Sequence, residues 1–125
     1  MEFSSRSLAD VIVATPVGPI DHANAQTLQQ ALEPLLKELA PGNAALLLDF
    51  AGVEYISSMG LRVLMVAAKQ VRGRGIRIGV TSLRPVVKEI FEIARFNHVT
   101  EVFASLRAAL EQISPSALAA YDASR

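Results

Sequence analysis

The sequence predicts a single α/β domain in which strands and helices alternate along the chain. Short β-branched, apolar segments alternate with longer segments whose apolar residues recur at helical spacing. The predicted order is strand, strand, helix, strand, helix, strand, helix, strand, helix, which is typical of a sheet with largely parallel crossover connections. A length of 125 residues with 51% hydrophobic residues is sufficient for one ordinary core.

The first half of the chain contains two predicted strands, a helix and a third strand, and we predict that the third strand lies at the centre of the sheet. Val11–Val17 is a β-branched strand, and residues 2–7 form a weaker strand that pairs with it. Leucines at helical spacing predict a helix over residues 23–39, with Asp21 as its N-cap. Residues 44–50 are continuously apolar except for Asp49, which indicates a strand covered on both faces.

The second half of the chain repeats this alternation. A helix is predicted over residues 58–72, and the alternating residues 76–80 predict a half-exposed strand. Ser82 is expected to cap a third helix, which has Pro85 in its first turn. The predicted apolar face of that helix consists of Val86, Val87, Ile90, Phe91 and Ala94.

The last part of the chain completes the domain. We predict a strand at residues 99–103 and a helix at residues 105–113, so that the domain spans residues 1–113. Residues 114–125 are small, polar and proline-containing, and we expect them to form a flexible C-terminal tail.

The composition excludes several classes of site. The chain has no cysteine, which excludes disulfides, thiolate metal sites and a cysteine nucleophile. His22 and His98 have no companion ligands at helical spacing, so neither a metal nor a cofactor is predicted. The polar N-terminus and the lack of any apolar stretch near the roughly 20 residues of a membrane helix predict a cytoplasmic domain.

The charges balance overall but are distributed unevenly. Twelve basic and twelve acidic residues argue against nucleic acid or a membrane surface as a partner. Residues 62–95 contain eight basic and two acidic residues, whereas residues 1–61 contain two basic and seven acidic residues. This asymmetry fits either ordinary solvated helix faces or a surface that docks an acidic partner.

Two adjacent serines, Ser57 and Ser58, occupy the point where the loop after the buried strand becomes a helix. One reading is purely structural, because a serine oxygen at a helix start accepts a free backbone N–H. The other reading is chemical, because the same position favours negative charge and would hold a phosphate on Ser58 without melting the helix. Both readings are open from the residues alone.

Four motifs occur in order between residues 11 and 110. They are Gly18-Pro19-Ile20-Asp21 followed by Asn24-Ala25 and Leu28; Leu47-Leu48-Asp49-Phe50; Val53 to Leu61 with Ser57-Ser58-Met59-Gly60 at its centre; and Pro85-Val86-Val87 with Ile90-Phe91. In this order and spacing they resemble the STAS-domain family, and within it the bacterial anti-sigma factor antagonists.

The resemblance implies a fold, a function and a set of partners. The fold would be STAS-like, a small mixed sheet of four to five strands with helices mostly packed on one face. The function would be binding rather than catalysis. The unphosphorylated domain would sequester an anti-sigma factor that is also a serine kinase, serine phosphorylation would release it, and a PP2C-type serine phosphatase would reverse the modification.

By position in the motif, the resemblance implies Ser58 as the phosphorylated residue and Ser57 as a second candidate. The implied partner-binding residues are Asp21, His22, Asn24, Ser57, Ser58, Met59, Gly60 and Arg62. Gly60 is expected to permit a close backbone approach.

The chain departs from the family pattern at two positions, and two other functions stay open. Well-studied members have Asp where this chain has Ser57, and members often have Ser or Thr where it has Met59. One alternative is a non-switching STAS subunit of a transporter or sensor complex. The other is a small α/β enzyme that uses Asp21 or Asp49 as an acid or base.

Overall fold

The computed structural model describes residues 1–124 and contains a five-stranded mixed sheet. The strands are β1 (Glu2–Leu8), β2 (Val11–Val17), β3 (Ala45–Asp49), β4 (Arg77–Thr81) and β5 (Glu101–Phe103). They lie side by side in chain order, with β1 antiparallel to β2 and all other neighbours parallel.

Helices cover both faces of this sheet. Within residues 1–124 they are α1 (Ala25–Glu38), α2 (Ser58–Gly73), α3 (Pro85–Ile93), α4 (Leu106–Ile113) and α5 (Pro115–Ala123), with a 3-10 turn at Phe96–His98. The first three helices pack on one face and the last two on the other. The predicted mixed sheet with most helices on one face is confirmed. No helix in this part of the chain is long and apolar enough to cross a membrane.

The central strand β3 is buried on both faces, as the continuous apolar run predicts. Leu46 and Leu48 belong to the core under α1 to α3, whereas Ala45 and Leu47 belong to the core under α4 and α5. All four side chains are at most 1% exposed. The central position of β3 places the loop that follows it in the middle of one edge of the sheet.

The prediction that β4 is half-exposed is wrong. Gly79 and Thr81, on the face opposite Ile78 and Val80, are also buried. The ring of Phe103 covers Gly79, and a Cβ on this glycine would lie 2.7 Å from Phe103 Cε2. Of the two residues that alternate with the isoleucines, Arg77 is exposed, whereas Gly79 is a small residue beneath an aromatic ring.

The starts of α1 and α3 differ from the predictions. Asn24, not Asp21, is the N-cap of α1. Arg84, not Ser82, is the N-cap of α3, because Ser82 adopts a left-handed backbone conformation with φ of 62° before the chain enters the helix at Pro85.

The apolar face of α3 is only partly buried. Val87 and Phe91 are buried as predicted, and Ile90 is half-buried. Val86 is 54% exposed and Ala94 is also exposed, contrary to the prediction. The apolar arc of the helix is therefore wider than its contact with the sheet.

Residues 114–124 form a capped helix rather than the flexible tail expected from the sequence. The Ser114 hydroxyl oxygen accepts the Ala117 N–H at 3.1 Å and also donates its proton to the Asp10 carboxylate. Ala117 is fully buried, and the Arg6 guanidinium lies 5.4 Å from the centre of the Tyr121 ring. These contacts dock α5 against the start of the domain; Arg125 lies outside the described residues.

Candidate functional site

The loops that follow β2 and β3 are joined by three backbone hydrogen bonds of 2.8 Å each. Gly18 donates to the carbonyl of Gly52, Ile20 donates to Tyr55, and Ser57 donates back to Ile20. The two strands are parallel neighbours, so they end at the same edge of the sheet, and their loops continue the pairing beyond it. This pairing brings the turn around Asp21, formed by residues 19–24, beside the start of α2.

The two adjacent serines have different environments. Ser57 has an extended backbone and is the N-cap of α2; its hydroxyl oxygen accepts the Gly60 N–H at 3.1 Å, and the residue is 8% exposed. Ser58 is the first residue of the helix and is exposed. No residue of the described chain forms a hydrogen bond with the Ser58 hydroxyl. One hydroxyl is thus part of the fold and the other faces solvent.

Gly60 permits a close approach, but the approach is to side chains of its own chain. A Cβ at Gly60 would lie 2.7 Å from Ile20 Cγ2 and 2.9 Å from Ile56 Cγ1. The first turn of α2 therefore rests directly on these two isoleucines, which are themselves buried. Gly60 supports the predicted partner-binding surface from beneath.

The Asp21 turn is closed by reciprocal hydrogen bonds. The Asp21 N–H donates to Asn24 Oδ1 at 2.8 Å, and the Asn24 N–H donates to Asp21 Oδ1 at 2.9 Å. The Asn24 side-chain amide also donates to the Pro19 carbonyl at 2.8 Å. Asp21 and Asn24 thus shape the turn, while His22 between them is exposed.

Sequence reasoning missed an apolar groove that opens beside the serines. It lies between α1 and α2, has a volume of about 340 Å³, and is lined by Gln29, Leu32, Glu33, Leu36, Met59, Arg62, Val63, Val66, Ala67 and Gln70. Tyr55, Met59 and Val66 are large apolar residues that are 46%, 39% and 51% exposed. Val66 is an apolar residue outside the buried stripe of α2. An apolar residue at such a position is the feature of the sequence that indicates this groove.

The eight basic residues between positions 62 and 95 divide evenly between those whose side chains bind other parts of the chain and those whose side chains face solvent. Arg72, Arg74 and Arg84 donate to backbone carbonyls, and Arg77 pairs with Glu101. The hydrogen bond with Arg77 lowers the pKa of Glu101. Within residues 1–124, no side-chain hydrogen bond or ion pair involves the other four, which are Arg62, Lys69, Lys88 and Arg95. Four of these eight basic residues therefore have a structural role.

The carboxylates considered for catalysis both hold turns. Asp49 Oδ1 accepts the Ala51 N–H at 3.1 Å, and Asp21 Oδ1 is occupied by Asn24. Among residues 1–124, no group of three or more histidines and carboxylates is arranged to hold a metal ion.

Comparison with known proteins identifies the family. Residues 3–109 match the family model of the STAS domain. The chain belongs to the STAS-domain family. Its sequence is 32% identical over 109 residues to BtrV of Bordetella bronchiseptica, whose name assigns it as an anti-sigma factor antagonist; the match covers 87% of this chain and 91% of BtrV.

Solved structures share the fold of this STAS domain. An anti-sigma factor antagonist from Mycobacterium paratuberculosis superposes with a TM-score of 0.80 at 22% identity, covering 90% of this chain and 92% of that one. The murine anion transporter Slc26a9 gives a TM-score of 0.72 at 21% identity, covering 85% of this chain but 18% of the transporter. The same fold thus occurs in a small protein and in part of a much larger one.

Proposed function

We propose that this STAS domain is an anti-sigma factor antagonist that is switched by phosphorylation of Ser58. The unmodified domain binds an anti-sigma factor with serine-kinase activity, and the modified domain releases it until a PP2C-type phosphatase removes the phosphate. The observation that carries the proposal is the difference between the two hydroxyls, because Ser58 is exposed and unbonded whereas Ser57 is buried and caps α2. The homology to BtrV supports the class of partner.

A phosphate on Ser58 is compatible with the fold. It adds about −1.5 to −2 charge at pH 7, at the first residue of a helix whose first turn contains no acidic residue. The N-terminal end of the helix dipole favours such a charge by about 0.3 to 1 kcal/mol at an exposed site. On Ser57 the same group would displace a cap worth about 1 kcal/mol and would require the residue to leave its buried position.

The predicted partner-binding residues divide into two groups. His22, Ser58, Met59 and Arg62 are exposed and form the contact surface. The remaining four support that surface: Asn24, Ser57, Gly60 and Asp21, which is also exposed. A partner that covers the exposed group desolvates Ser58, so a charged phosphate there opposes binding through bulk, hydration and repulsion of any nearby acid.

The protein contributes no reaction of its own in this proposal. The kinase partner supplies ATP and Mg²⁺, and the STAS domain supplies the serine and the surface that positions it. No resident cofactor is required, and the proposed place of action is the cytoplasm, where the sigma factor acts.

Phosphorylation by the cognate kinase tests the acceptor. Incubation with labelled ATP is expected to add one phosphate to the wild type and to Ser57→Ala, and none to Ser58→Ala. Circular dichroism of each variant controls for folding, since Ser57→Ala removes the cap. Label that persists in Ser58→Ala and disappears in Ser57→Ala would assign the acceptor to Ser57.

Calorimetric titration with the same partner tests the switch. Ser58→Asp is expected to weaken binding at least about tenfold, or about 1.4 kcal/mol. Ser58→Asn, of the same size and without the charge, is expected to bind much more tightly than Ser58→Asp. Equal affinity of the aspartate variant and the wild type would contradict the switch.

A constitutive subunit of a transporter or sensor complex is the second candidate. The shared fold with part of Slc26a9 favours it. Such a subunit would bind its own partner equally well with or without phosphate on Ser58. Titration of that partner with wild type and Ser58→Asp therefore separates the two functions, because only the switch predicts a loss of affinity.

A further inference from the structure

We propose that Arg62 forms an intramolecular ion pair with the phosphate on Ser58, so that modification also withdraws this cation from the partner-binding surface. The inference rests on the proposed phosphorylation of Ser58. It identifies the residue that responds to the phosphate and gives Arg62 a different role in each state of the switch.

The geometry of α2 places the two side chains together. Ser58 and Arg62 are four residues apart on one helix, so they are neighbours on its surface, with Cβ atoms about 6 Å apart. Long side chains on a helix lean towards its N-terminus and cover the preceding turn. Arg62 lines the groove together with Met59, which lies about one turn closer to the N-terminus of α2. An anion that precedes a cation by four residues is also the more favourable order.

Arg62 is available for this contact. It is exposed, and within residues 1–124 its side chain forms no ion pair or hydrogen bond. The acidic residue that shares its groove is Glu33 on α1, which does not approach within the 4.0 Å of an ion pair. A phosphate carries about −1.5 to −2 charge and three acceptor oxygens, whereas Glu33 offers one charge across the groove. The phosphate on Ser58 therefore attracts the Arg62 side chain more strongly than Glu33 does.

Lys69 and His22 serve to test the assignment. Lys69 lies on the same side of α2 as Ser58, but eleven residues further along, or about 16 Å at 1.5 Å per residue. His22 is exposed in the loop after β2, which is joined by backbone hydrogen bonds to the loop before α2. A specific contact with Arg62 predicts that neither of these residues can replace it.

The ion pair between Arg62 and the phosphate changes the charge of the surface that a partner contacts. Before modification, Arg62 is free to bind an acidic group on the partner at the rim of the groove. After modification it is held by the chain's own phosphate, and the surface loses an exposed positive charge in addition to gaining a negative one. Phosphorylation thus alters two neighbouring positions through one covalent change.

The test uses the full chain with phosphoserine incorporated at position 58 during synthesis, so that no kinase is needed. Titration by ³¹P NMR measures the second pKa of the phosphate, which is ordinarily about 6. In Arg62→Gln this pKa is expected to be higher than in the wild type by about 0.15 to 0.4 units, the strength of an i,i+4 pair expressed as a pKa shift. Arg62→Lys is expected to give an intermediate value, and Lys69→Gln and His22→Gln the wild-type value.

Two results would overturn the inference. One is an unchanged phosphate pKa in Arg62→Gln, and the other is an equal rise in Lys69→Gln or His22→Gln, which would indicate general electrostatics or a contact with the loop. Circular dichroism confirms that each variant is folded. The partner titration reports separately on the proposed function, because a modified chain that binds as tightly as the unmodified one refutes the switch while the ion pair stays measurable.

Discussion

The N–H of Gly60 donates a hydrogen bond to the hydroxyl oxygen of Ser57 at 3.1 Å, so the first of the two adjacent serines holds the start of α2 in place. The second serine, one residue later, is exposed and forms no such bond. A structural hydroxyl and an accessible one therefore lie on adjacent residues at the start of α2.

This separation predicts unequal effects of removing the two hydroxyls. Ser57→Ala is expected to lower the free energy of unfolding by about 1 kcal/mol, because the Gly60 N–H loses its acceptor in a buried position. Ser58→Ala is expected to change it by less than about 0.5 kcal/mol, as surface substitutions do. Urea unfolding at pH 7 measures both, and equal losses would show that the cap is misassigned.

The unpaired hydroxyl of Thr81 leads us to expect that a substitution at this position stabilises the protein. Thr81 is fully buried on β4, and its hydroxyl has no hydrogen-bond partner among the described residues. Thr81→Val keeps the shape and removes the unpaired group, so it is expected to raise the unfolding free energy by about 1 kcal/mol. Thr100→Val is the matched control, because the Thr100 hydroxyl donates to the Glu101 carbonyl at 3.0 Å and its loss is expected to destabilise. Destabilisation by both would indicate an undetected partner for Thr81.

The ion pair between Glu101 and Arg77 predicts a pH-dependent contribution to stability. The side-chain hydrogen bond from Arg77 Nε, at 2.8 Å, lowers the pKa of Glu101 below its ordinary value. A carboxylate with a lowered folded-state pKa stabilises the protein above its unfolded-state pKa, and the contribution disappears as the pH falls through the folded-state pKa. Both side chains are about two-fifths exposed, so solvent screening limits the contribution to less than about 1 kcal/mol.

Glu101→Gln is therefore expected to cost less than about 1 kcal/mol at pH 7, and the cost is expected to shrink as the pH falls from about 5 to about 2. Denaturant unfolding across this range measures the difference. Glu111→Gln, at another exposed ion pair with Arg107, is the control for a general charge effect. A difference between wild type and Glu101→Gln that grows towards low pH would contradict the assigned sign.

Local patterns were sufficient to predict the core elements. The helical spacing of Leu28, Leu32 and Leu35 fixes which side of α1 is buried, because that spacing depends only on helix geometry. The continuous run of β3 likewise predicts a strand with two covered faces, since a strand that faces water on one side alternates.

Contacts between distant residues account for what the sequence did not predict. Ser57 and Ser58 are both good caps, and the choice depends on the hydrogen bond from the Ser57 N–H to the Ile20 carbonyl, which lies in another loop. The helix at the C-terminus depends on the bond from Ser114 to Asp10, 104 residues away. The sequence of this segment alone gives no local signal of an anchor on so distant a residue.

Gly60 links the packing of the fold to the exposure of Ser58, and Gly60→Ala tests that link. The new Cβ would meet Ile20 Cγ2 at 2.7 Å, so the first turn of α2 must move away from the two isoleucines beneath it. Overpacking of this kind costs about 1 to 3 kcal/mol, while the helix preference of alanine over glycine returns up to about 1 kcal/mol. A net loss of unfolding free energy is expected, together with slower phosphorylation of Ser58, because its position shifts with the turn.

Gly73→Ala is the matched control, since Gly73 also lies in α2 and a Cβ there would meet no atom within 4 Å. It is expected to leave the phosphorylation rate unchanged and the stability equal or slightly higher. Urea unfolding and the initial rate of labelling by the cognate kinase measure the two effects. If Gly60→Ala were as stable and as rapidly labelled as Gly73→Ala, the seating of α2 on Ile20 and Ile56 would not determine how Ser58 is presented.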